Sequence, residues 1–236
     1  MIEIDTGMAL AAGLGTRMRP LTLTRPKALV EVRNKALLDH VLDRFAAAGV
    51  RRAVVNIHHF ADLMRDHLAG RSGAPDIRIS DESDQVLETG GGLVKARAML
   101  GSKPGFVSNI DAIWQDENMP ELDRLKAGWD GGQMDALLLL ARREQTLGYG
   151  GAGDFFLETD GRVRRRGDDK SAPFVFAGTQ ILNPAVLDKY PEEPFSLNRI
   201  WDDLLSRGRV HGCVMDAFWM HVGDPEARDA AEARFA

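Results

Sequence analysis

The chain has 236 residues, of which 44% are hydrophobic and 28% are charged. This composition is typical of a folded enzyme and excludes a disordered or fibrous protein, and the length suits one substantial α/β domain. The 30 Lys and Arg residues against 35 Asp and Glu residues give a formal net charge of -5, which excludes a general electrostatic attraction to nucleic acid or to anionic membranes.

Three features bear on the compartment of the protein. A single cysteine, Cys213, has no internal partner for a disulfide, and residues 1–12 carry acidic groups where a signal peptide would have Lys or Arg. The longest aliphatic run, residues 136–141, is far shorter than the ~20 residues of a membrane-spanning helix. We therefore predict a cytoplasmic protein with no membrane partner, while its oligomeric state stays open.

Short apolar runs alternate with segments of helical periodicity in the first half of the chain. The runs predict strands at 8–12, 53–57, 77–80 and 106–109, and the periodic segments predict helices at 37–48, 61–68 and 92–100. Gly49 is placed to end the first helix in a left-handed conformation. This alternation is typical of a mostly parallel sheet with crossover helices.

The second half changes character. Strands are predicted at 135–141, 154–158 and 210–215, and helices at 196–207 and 225–235. The sequence ETDGR at 158–162 is a turn signal, which predicts an antiparallel hairpin. The fold class predicted for residues 1–236 is a single α/β domain, with a Rossmann-like, mostly parallel sheet, crossover helices and an antiparallel hairpin excursion.

The segment ALAAGLGTRMRPLTLTRPK, residues 9–27, places glycines and cations after the first predicted strand. It is not a dinucleotide-binding GxGxxG turn, because Pro20 would interrupt the helix, and it lacks the Gly-Lys-Ser/Thr ending of a P-loop. What remains is a glycine-rich loop whose N–H groups can face an anion. Its cations are Arg17, Arg19, Arg25 and Lys27. On these features alone, a polyphosphate site and a solvated surface loop are both open.

The order of the motifs decides between them. GLGTR at 13–17, followed by Pro26-Lys27, resembles the signature of the sugar-1-phosphate nucleotidyltransferases, or nucleotide-diphospho-sugar pyrophosphorylases. Three further segments resemble motifs of that family in the same order: LETGGG at 87–92, SNID at 108–111 and WMHVGDP at 219–225. The resemblance implies a glycosyltransferase-A-like fold, with a nucleotide-binding part at about 1–115 and a sugar-binding part at about 116–236.

The family resemblance also implies a reaction, the metal-dependent transfer of a nucleoside monophosphate from an NTP to a sugar 1-phosphate with release of pyrophosphate. The compact length, LETGGG and GAGDF at 151–155 are most similar to the branch that joins UTP to N-acetylmuramate α-1-phosphate in peptidoglycan recycling. The same chemistry with GTP and mannose or heptose 1-phosphate, or with CTP and phosphocholine, is an alternative. A non-catalytic nucleotide-sugar sensor is another.

Roles of individual residues follow from the same resemblance. Arg17 would neutralise the leaving pyrophosphate and Lys27 would act as a point charge near the reacting phosphate. LETGGG is interpreted as a strand-exit turn whose glycines begin a helix and lie against the base. Asp154 would lie on the sugar side. The residues expected to bind nucleotide or substrate are Ala12, Gly13, Gly15, Thr16, Arg17, Lys27, Glu88, Thr89, Gly90, Asn109 and Asp154.

A metal site is implied by Asp111, which follows a buried predicted strand and would be a Mg²⁺ ligand. His221 stands where the family usually has a second metal-binding Asp. An imidazole there would favour Mn²⁺ or Co²⁺ relative to Mg²⁺, leave Asp111 as the one protein ligand, or hydrogen-bond a phosphate or its own loop. Asp224 would either assist the metal or cap a helix.

Other polar residues are interpreted as structural. His58, His59 and His67 are expected on the surface or at strand ends rather than in a metal cluster. The run 164–166 of three arginines is expected to be a solvated edge that discourages strand pairing. Cys213 is expected to be an inert core thiol.

Overall fold

The structure is a computed structural model that describes residues 2–235. Its main feature is a nine-stranded sheet. Its strands and the short strands beside it are β1 (Thr6–Leu10), β2 (Glu31–Val32), β3 (Lys35–Ala36), β4 (Arg52–Ile57), β5 (Asp76–Asp81), β6 (Gly105–Asn109), β7 (Ala112–Trp114), β8 (Ala136–Arg142), β9 (Thr146–Leu147), β10 (Phe155–Leu157), β11 (Val163–Arg165), β12 (Phe174–Leu182), β13 (Val210–Val214) and β14 (Trp219–His221). The α-helices are α1 (Leu37–Ala47), α2 (Ala61–Ala69), α3 (Glu88–Lys95), α4 (Arg97–Leu100), α5 (Glu121–Gly128), α6 (Asn198–Ser206) and α7 (Pro225–Arg234).

The strand order shows how the parallel and antiparallel parts combine. The principal order is β11-β10-β12-β6-β1-β4-β5, and β8 and β13 continue from β12. Strands β6, β1, β4 and β5 are mutually parallel, as predicted from the alternation of strands and helices. The predicted hairpin is also confirmed, because β10 and β11 pair antiparallel.

Strand β12 is the main element that the sequence interpretation lacked. It pairs antiparallel with β6 on one side and with β8 on the other, so the antiparallel part of the sheet is larger than one hairpin. Its register shifts between Phe176 and Gln180, and Gly178 within this bulge has φ 84°. The strand is largely buried, and the bulge breaks its periodicity, so the alternation that marks a half-exposed strand is missing.

Helices lie on both faces of the sheet, and each face has its own apolar cluster. One cluster includes side chains from α1, α2 and α5, while the other includes side chains from α3, α4 and α6. The predicted helix and strand bounds agree with the structure within two residues, with one exception described below. Gly49 has φ 85° and follows α1, as the helix-end prediction required. No helix among residues 2–235 combines the length and apolarity needed to cross a bilayer.

The LETGGG segment is the exception. The sequence predicts a strand-exit turn with a helix over 92–100, but α3 begins at Glu88 and includes the glycines, and a break at Ala96 separates it from α4. A Cβ on Gly91 would lie 2.1 Å from the Glu193 carbonyl oxygen, and one on Gly90 would lie 2.4 Å from the Phe195 ring. These glycines therefore allow α3 to pack closely against residues 193–195.

Candidate active site

A cleft of about 560 Å³ opens at the carboxyl ends of the parallel strands. This is the edge where ligands bind in open α/β sheets, because the loops that follow the strands converge there. The lining includes nine of the eleven residues expected to bind nucleotide or substrate: Ala12, Gly13, Gly15, Thr16, Arg17, Lys27, Glu88, Thr89 and Asn109. It also includes Asp111, the predicted metal ligand. The sequence motifs, which lie far apart in the chain, thus meet at one site.

The glycine loop that follows β1 is folded back on itself. Gly15 has φ 62°, accepts a hydrogen bond of 2.8 Å from the Thr22 hydroxyl, and leads into a 3-10 turn at Thr16–Met18. A Cβ on Gly15 would lie 2.8 Å from the Cβ of Lys27, so this glycine lets the two ends of the loop approach. A Cβ on Gly13 would meet nothing within 4 Å, so the backbone there is open to a ligand.

The cations of this loop divide into two groups. Arg17 is exposed and lines the cleft, and Lys27 lies deeper, with a side chain 12% exposed. Arg19 and Arg25 are exposed and lie outside the described lining of the cleft. Two of the four cations that the sequence placed in this loop are therefore positioned to face a bound anion.

Asp111 lines the cleft and is the centre of a triad with Lys27 and His221. Its Oδ2 accepts a 2.6 Å hydrogen bond from Lys27 Nζ and lies 3.4 Å from His221 Nε2. Burial by itself would raise the Asp111 pKa, but the hydrogen bond with His221 and the charge of Lys27 outweigh it and hold that pKa well below its usual value. Asp111 is therefore held as a carboxylate beside the Lys27 ammonium.

The short strands outside the main sheet bring His221 to this position. Strand β14 pairs antiparallel with β7, which sets His221 opposite Ala112, and the Val222 N–H donates to the Asp111 carbonyl. His221 also stacks on Trp219, and its Nδ1 lies 3.3 Å from the Gly148 carbonyl oxygen. The imidazole is thus held by its own loop as well as by Asp111.

Few side chains near Asp111 could act as metal ligands. Among residues 2–235, no group of three or more His, Cys, Asp or Glu side chains is arranged as a metal site. Asp224 is used elsewhere, since it caps α7 by accepting from the Ala227 N–H at 2.8 Å. Of the two alternatives left open for Asp224, the helix cap is confirmed.

The residues of LETGGG, which are expected to lie against the base, do not all line the cleft. Glu88 and Thr89 line the cleft, and the Thr89 hydroxyl also accepts from the Leu197 N–H at 2.8 Å. Gly90 is outside the described lining of the cleft, and its N–H donates to the Phe195 carbonyl. It lies on the face of α3 that packs on Phe195, and its place against the base stays a prediction.

A buried polar pair in the cleft was missed by the sequence analysis. Asn56 accepts from the Ala11 N–H at 2.6 Å and donates to Glu82 at 2.8 Å, and Glu82 also accepts from the Leu87 N–H at 3.3 Å. Burial raises the Glu82 pKa. The pair ties the start of the glycine loop to the segment before α3. A polar Asn inside the apolar strand RAVVNI was the available signal.

A second cleft, of about 360 Å³, adjoins the first at Arg17, Asn109 and Asp111, which line both. Aromatic residues from several elements form much of its wall, namely Tyr149, Phe155, Phe176, Trp201 and Trp219. Asp154 lies here, but its carboxylate accepts from the Phe176 N–H at 3.0 Å and from the Tyr149 hydroxyl at 3.4 Å. These hydrogen bonds are structural, and the place of Asp154 on the sugar side stays a prediction.

The three arginines of 164–166 are not all solvated, contrary to expectation. Arg164 is exposed, but Arg165 lines the second cleft and Arg166 donates to the Gly153 carbonyl oxygen at 3.1 Å. Successive residues of a strand point to opposite faces of the sheet. Adjacent arginines of this run can therefore lie in different places, one on the surface and the next in the cleft.

The remaining polar residues have structural surroundings. His58 bonds the Glu82 carbonyl at 2.6 Å, and His67 pairs with Asp39. Burial raises the pKa of the Cys213 thiol to about 11, which makes it unreactive at neutral pH.

Comparisons with known proteins agree with this geometry. The family model "Nucleotidyl transferase" matches residues 6–234. An N-acetylmuramate alpha-1-phosphate uridylyltransferase of Caulobacter vibrioides is 52% identical over 97% of this chain and 96% of its own length. A mannose-1-phosphate guanyltransferase beta-A of Xenopus laevis is 30% identical, and the match covers 93% of this chain but 61% of that protein.

Solved structures show the same fold at low identity. HddC from Yersinia pseudotuberculosis, complexed with GMP-PN, has a TM-score of 0.78 at 21% identity, with 99% of this chain and 100% of that chain covered. A UDP-glucose pyrophosphorylase complexed with UDP-glucose has a TM-score of 0.80 at 16% identity, with 99% and 98% covered. With the ordered motifs, the cleft and these matches together, the chain belongs to the nucleotidyl transferase family.

Proposed function

We propose that this nucleotidyltransferase joins UTP to N-acetylmuramate α-1-phosphate, forming the UDP-sugar and pyrophosphate. The observation that carries the choice of substrates is the 52% identity to a uridylyltransferase of that specificity over almost the full length of both chains. Two clefts that meet at Asp111 suit a reaction between a nucleotide and a sugar phosphate. We assign residues of about 1–115 to the nucleotide and residues of about 116–236 to the sugar.

In this reaction, a phosphate oxygen of the sugar 1-phosphate attacks the α-phosphorus of UTP in line, and pyrophosphate leaves. No protein nucleophile is needed, so the protein acts by positioning and by charge. The open backbone at Gly13 and the exposed guanidinium of Arg17 are placed for the leaving β- and γ-phosphates. Lys27, at the junction of the two clefts through its bond to Asp111, is placed near the reacting phosphorus.

The family generally depends on a divalent cation, and the residues present fit one. Mg²⁺ is commonly bound through one or two carboxylates, with waters and substrate phosphates completing its shell, so the lack of a three-residue protein cage does not conflict with it. Asp111 is the ligand that we propose, with His221 as a second ligand or a neighbour. When bound, the cation would neutralise charge on the phosphates. The imidazole makes Mn²⁺ or Co²⁺ an alternative to Mg²⁺.

The substrate assignment is tested by pyrophosphate release from a matrix of UTP, GTP and CTP against N-acetylmuramate, mannose and heptose 1-phosphates and phosphocholine. We expect the highest kcat/KM for UTP with N-acetylmuramate α-1-phosphate. GTP with mannose 1-phosphate is the specific rival, because guanylyltransferases at about 30% identity also match. Preference for that pair would refute the uridylyl assignment, and nucleotide binding without release from any pair would indicate a sensor.

The role of His221 is tested with the cation. Replacing it by Asp sets a second carboxylate near Asp111 Oδ2, now 3.4 Å from the imidazole. We expect His221→Asp to lower the metal-free Tm through carboxylate repulsion and to move the activity preference towards Mg²⁺ over Mn²⁺ and Co²⁺. An unchanged metal profile would show that His221 is no ligand.

A further inference from the structure

Strand β11 directs one arginine into the second cleft. Arg164 and Arg165 are adjacent and point to opposite faces of the strand; their side chains are 53% and 33% exposed. Only Arg165 of the two lines the cleft that it shares with Asp111. The strand therefore supplies a cation to the proposed sugar side and a neighbouring cation outside it.

The Arg165 guanidinium is held in a fixed orientation. Its Nε donates to Asp202 at 2.6 Å, and its Nη2 donates to the Asn198 side-chain oxygen at 2.9 Å. Its central carbon lies 5.5 Å from the centroid of the Phe155 ring and 5.8 Å from the nearest Trp201 ring centroid. Among residues 2–235, no side chain or carbonyl accepts from Nη1. The donors of Nη1 are thus pre-oriented and available to a ligand.

The other charged groups of this cleft have other partners or other assigned roles. Arg17 lies in the glycine loop that we assign to the nucleotide phosphates, and Asp111 is bonded to Lys27. Asp154 is bonded to Phe176 and Tyr149. Arg165 is accordingly the cation of this cleft that lies outside the phosphate-binding loop and the Asp111 triad. Its partner Asp202 is 61% exposed, so solvent weakens the neutralisation of its charge.

We propose, on the basis of the proposed function, that Arg165 binds the lactyl carboxylate of N-acetylmuramate α-1-phosphate through Nη1. That carboxylate belongs to the lactyl ether by which N-acetylmuramate differs from N-acetylglucosamine, which has a free hydroxyl in place of the ether. A guanidinium whose other nitrogens are already held loses little freedom when it binds a carboxylate, and a charge-assisted bond is stronger than a bond to a neutral hydroxyl. Arg165 is therefore a specificity-determining residue that acts on the sugar.

The test compares kcat/KM for N-acetylmuramate and N-acetylglucosamine 1-phosphates, each with UTP, in the wild type and in three variants. Arg165→Gln removes the charge, Arg165→Lys keeps the charge without the fork, and Arg164→Gln removes the neighbouring charge outside the cleft. Where N-acetylglucosamine 1-phosphate turns over too slowly, its Ki against the muramate substrate supplies the comparison. Tm is measured for every variant.

We expect Arg165→Gln to lower kcat/KM for the muramate substrate by about tenfold to a hundredfold, the effect of one charge-assisted hydrogen bond. The value for N-acetylglucosamine 1-phosphate should stay within about twofold of the wild type, since that substrate lacks the bond. Arg165→Lys should fall between the wild type and Arg165→Gln in its preference for the muramate substrate, and Arg164→Gln should match the wild type for both.

Equal losses for both sugars in Arg165→Gln and Arg165→Lys, or no loss for either, would overturn the proposal while leaving the uridylyl reaction intact. If Arg165→Gln does not fold, the preference of Arg165→Lys decides, and an unchanged preference overturns the proposal. A wild type inactive with UTP and N-acetylmuramate α-1-phosphate would instead refute the proposed function, and the assignment of Arg165 to the lactyl group with it.

Discussion

Removal of the Lys27 ammonium is expected to have two separable effects, one on stability and one on turnover. In Lys27→Met, Asp111 keeps the His221 neighbour at 3.4 Å but loses a 2.6 Å ion pair between side chains that are 12% and 20% exposed. Breaking a fully buried pair costs about 3–5 kcal/mol, and partial exposure reduces this, so we expect the free energy of unfolding to fall by about 2 kcal/mol.

We expect a larger effect on turnover than on stability, because Lys27 is proposed to stabilise charge that develops during phosphoryl transfer. Loss of one such preorganised group typically lowers kcat by about 10²–10³-fold. KM for UTP should change much less, because the glycine loop and the Glu88 side of the cleft remain. Lys170→Met, at an exposed lysine outside the lining of both clefts, is the matched control.

Urea denaturation gives the stability change, and initial rates of pyrophosphate release give kcat and KM. The same measurements on Asp111→Asn and on the double variant close a cycle that isolates the coupling of the pair. A kcat for Lys27→Met within about twofold of the wild type, with a loss confined to KM, would refute the assignment of Lys27 to the reacting phosphate.

Three further expectations concern two glycines and a half-buried imidazole. Gly91→Ala should lower the free energy of unfolding by about 3 kcal/mol or prevent folding, because its Cβ would lie 2.1 Å from the Glu193 carbonyl oxygen; urea denaturation measures this. Gly13→Ala should keep the Tm but raise KM for UTP, since its Cβ meets no protein atom within 4 Å and projects from the cleft lining; an unchanged KM would contradict a close phosphate there. Burial lowers the His40 pKa despite a hydrogen bond with Val32, so the unfolded chain binds this proton more readily and stability falls as pH drops through about 6.5. The Tm difference between about pH 7.5 and pH 5 should therefore be smaller in His40→Gln, and an equal difference would exclude His40 as a source of it.

The parallel half of the fold was predictable because its signals are local. Residues 52–57 and 105–109 are short apolar strands next to periodic helices, and the hairpin at 155–165 has an explicit turn sequence. The positions of the glycine loop and Asp111 at one cleft were also predictable, because the loops that follow parallel strands converge at one edge of an open α/β sheet.

The rest depended on contacts between distant parts of the chain. Asn56 and Glu82 are 26 residues apart and form a pair only because β4 and β5 are neighbours. Gly90 was assigned to the base from its motif, whereas its surroundings are fixed by Phe195, about a hundred residues away. The sequence could not show which of Arg164 and Arg165 enters a cleft, because the two are neighbouring arginines. Only the orientation of β11 in the fold distinguishes them.

The long strand β12 has a mechanical consequence. It is hydrogen-bonded to β6 on one side and to β8 on the other. The segments proposed for nucleotide and sugar are therefore parts of one continuous hydrogen-bonded sheet. A hinge between them would have to break buried backbone hydrogen bonds, which is costly. Closure of two lobes is therefore an unfavourable way to align the substrates, and we expect the sheet to act as a rigid frame during the reaction.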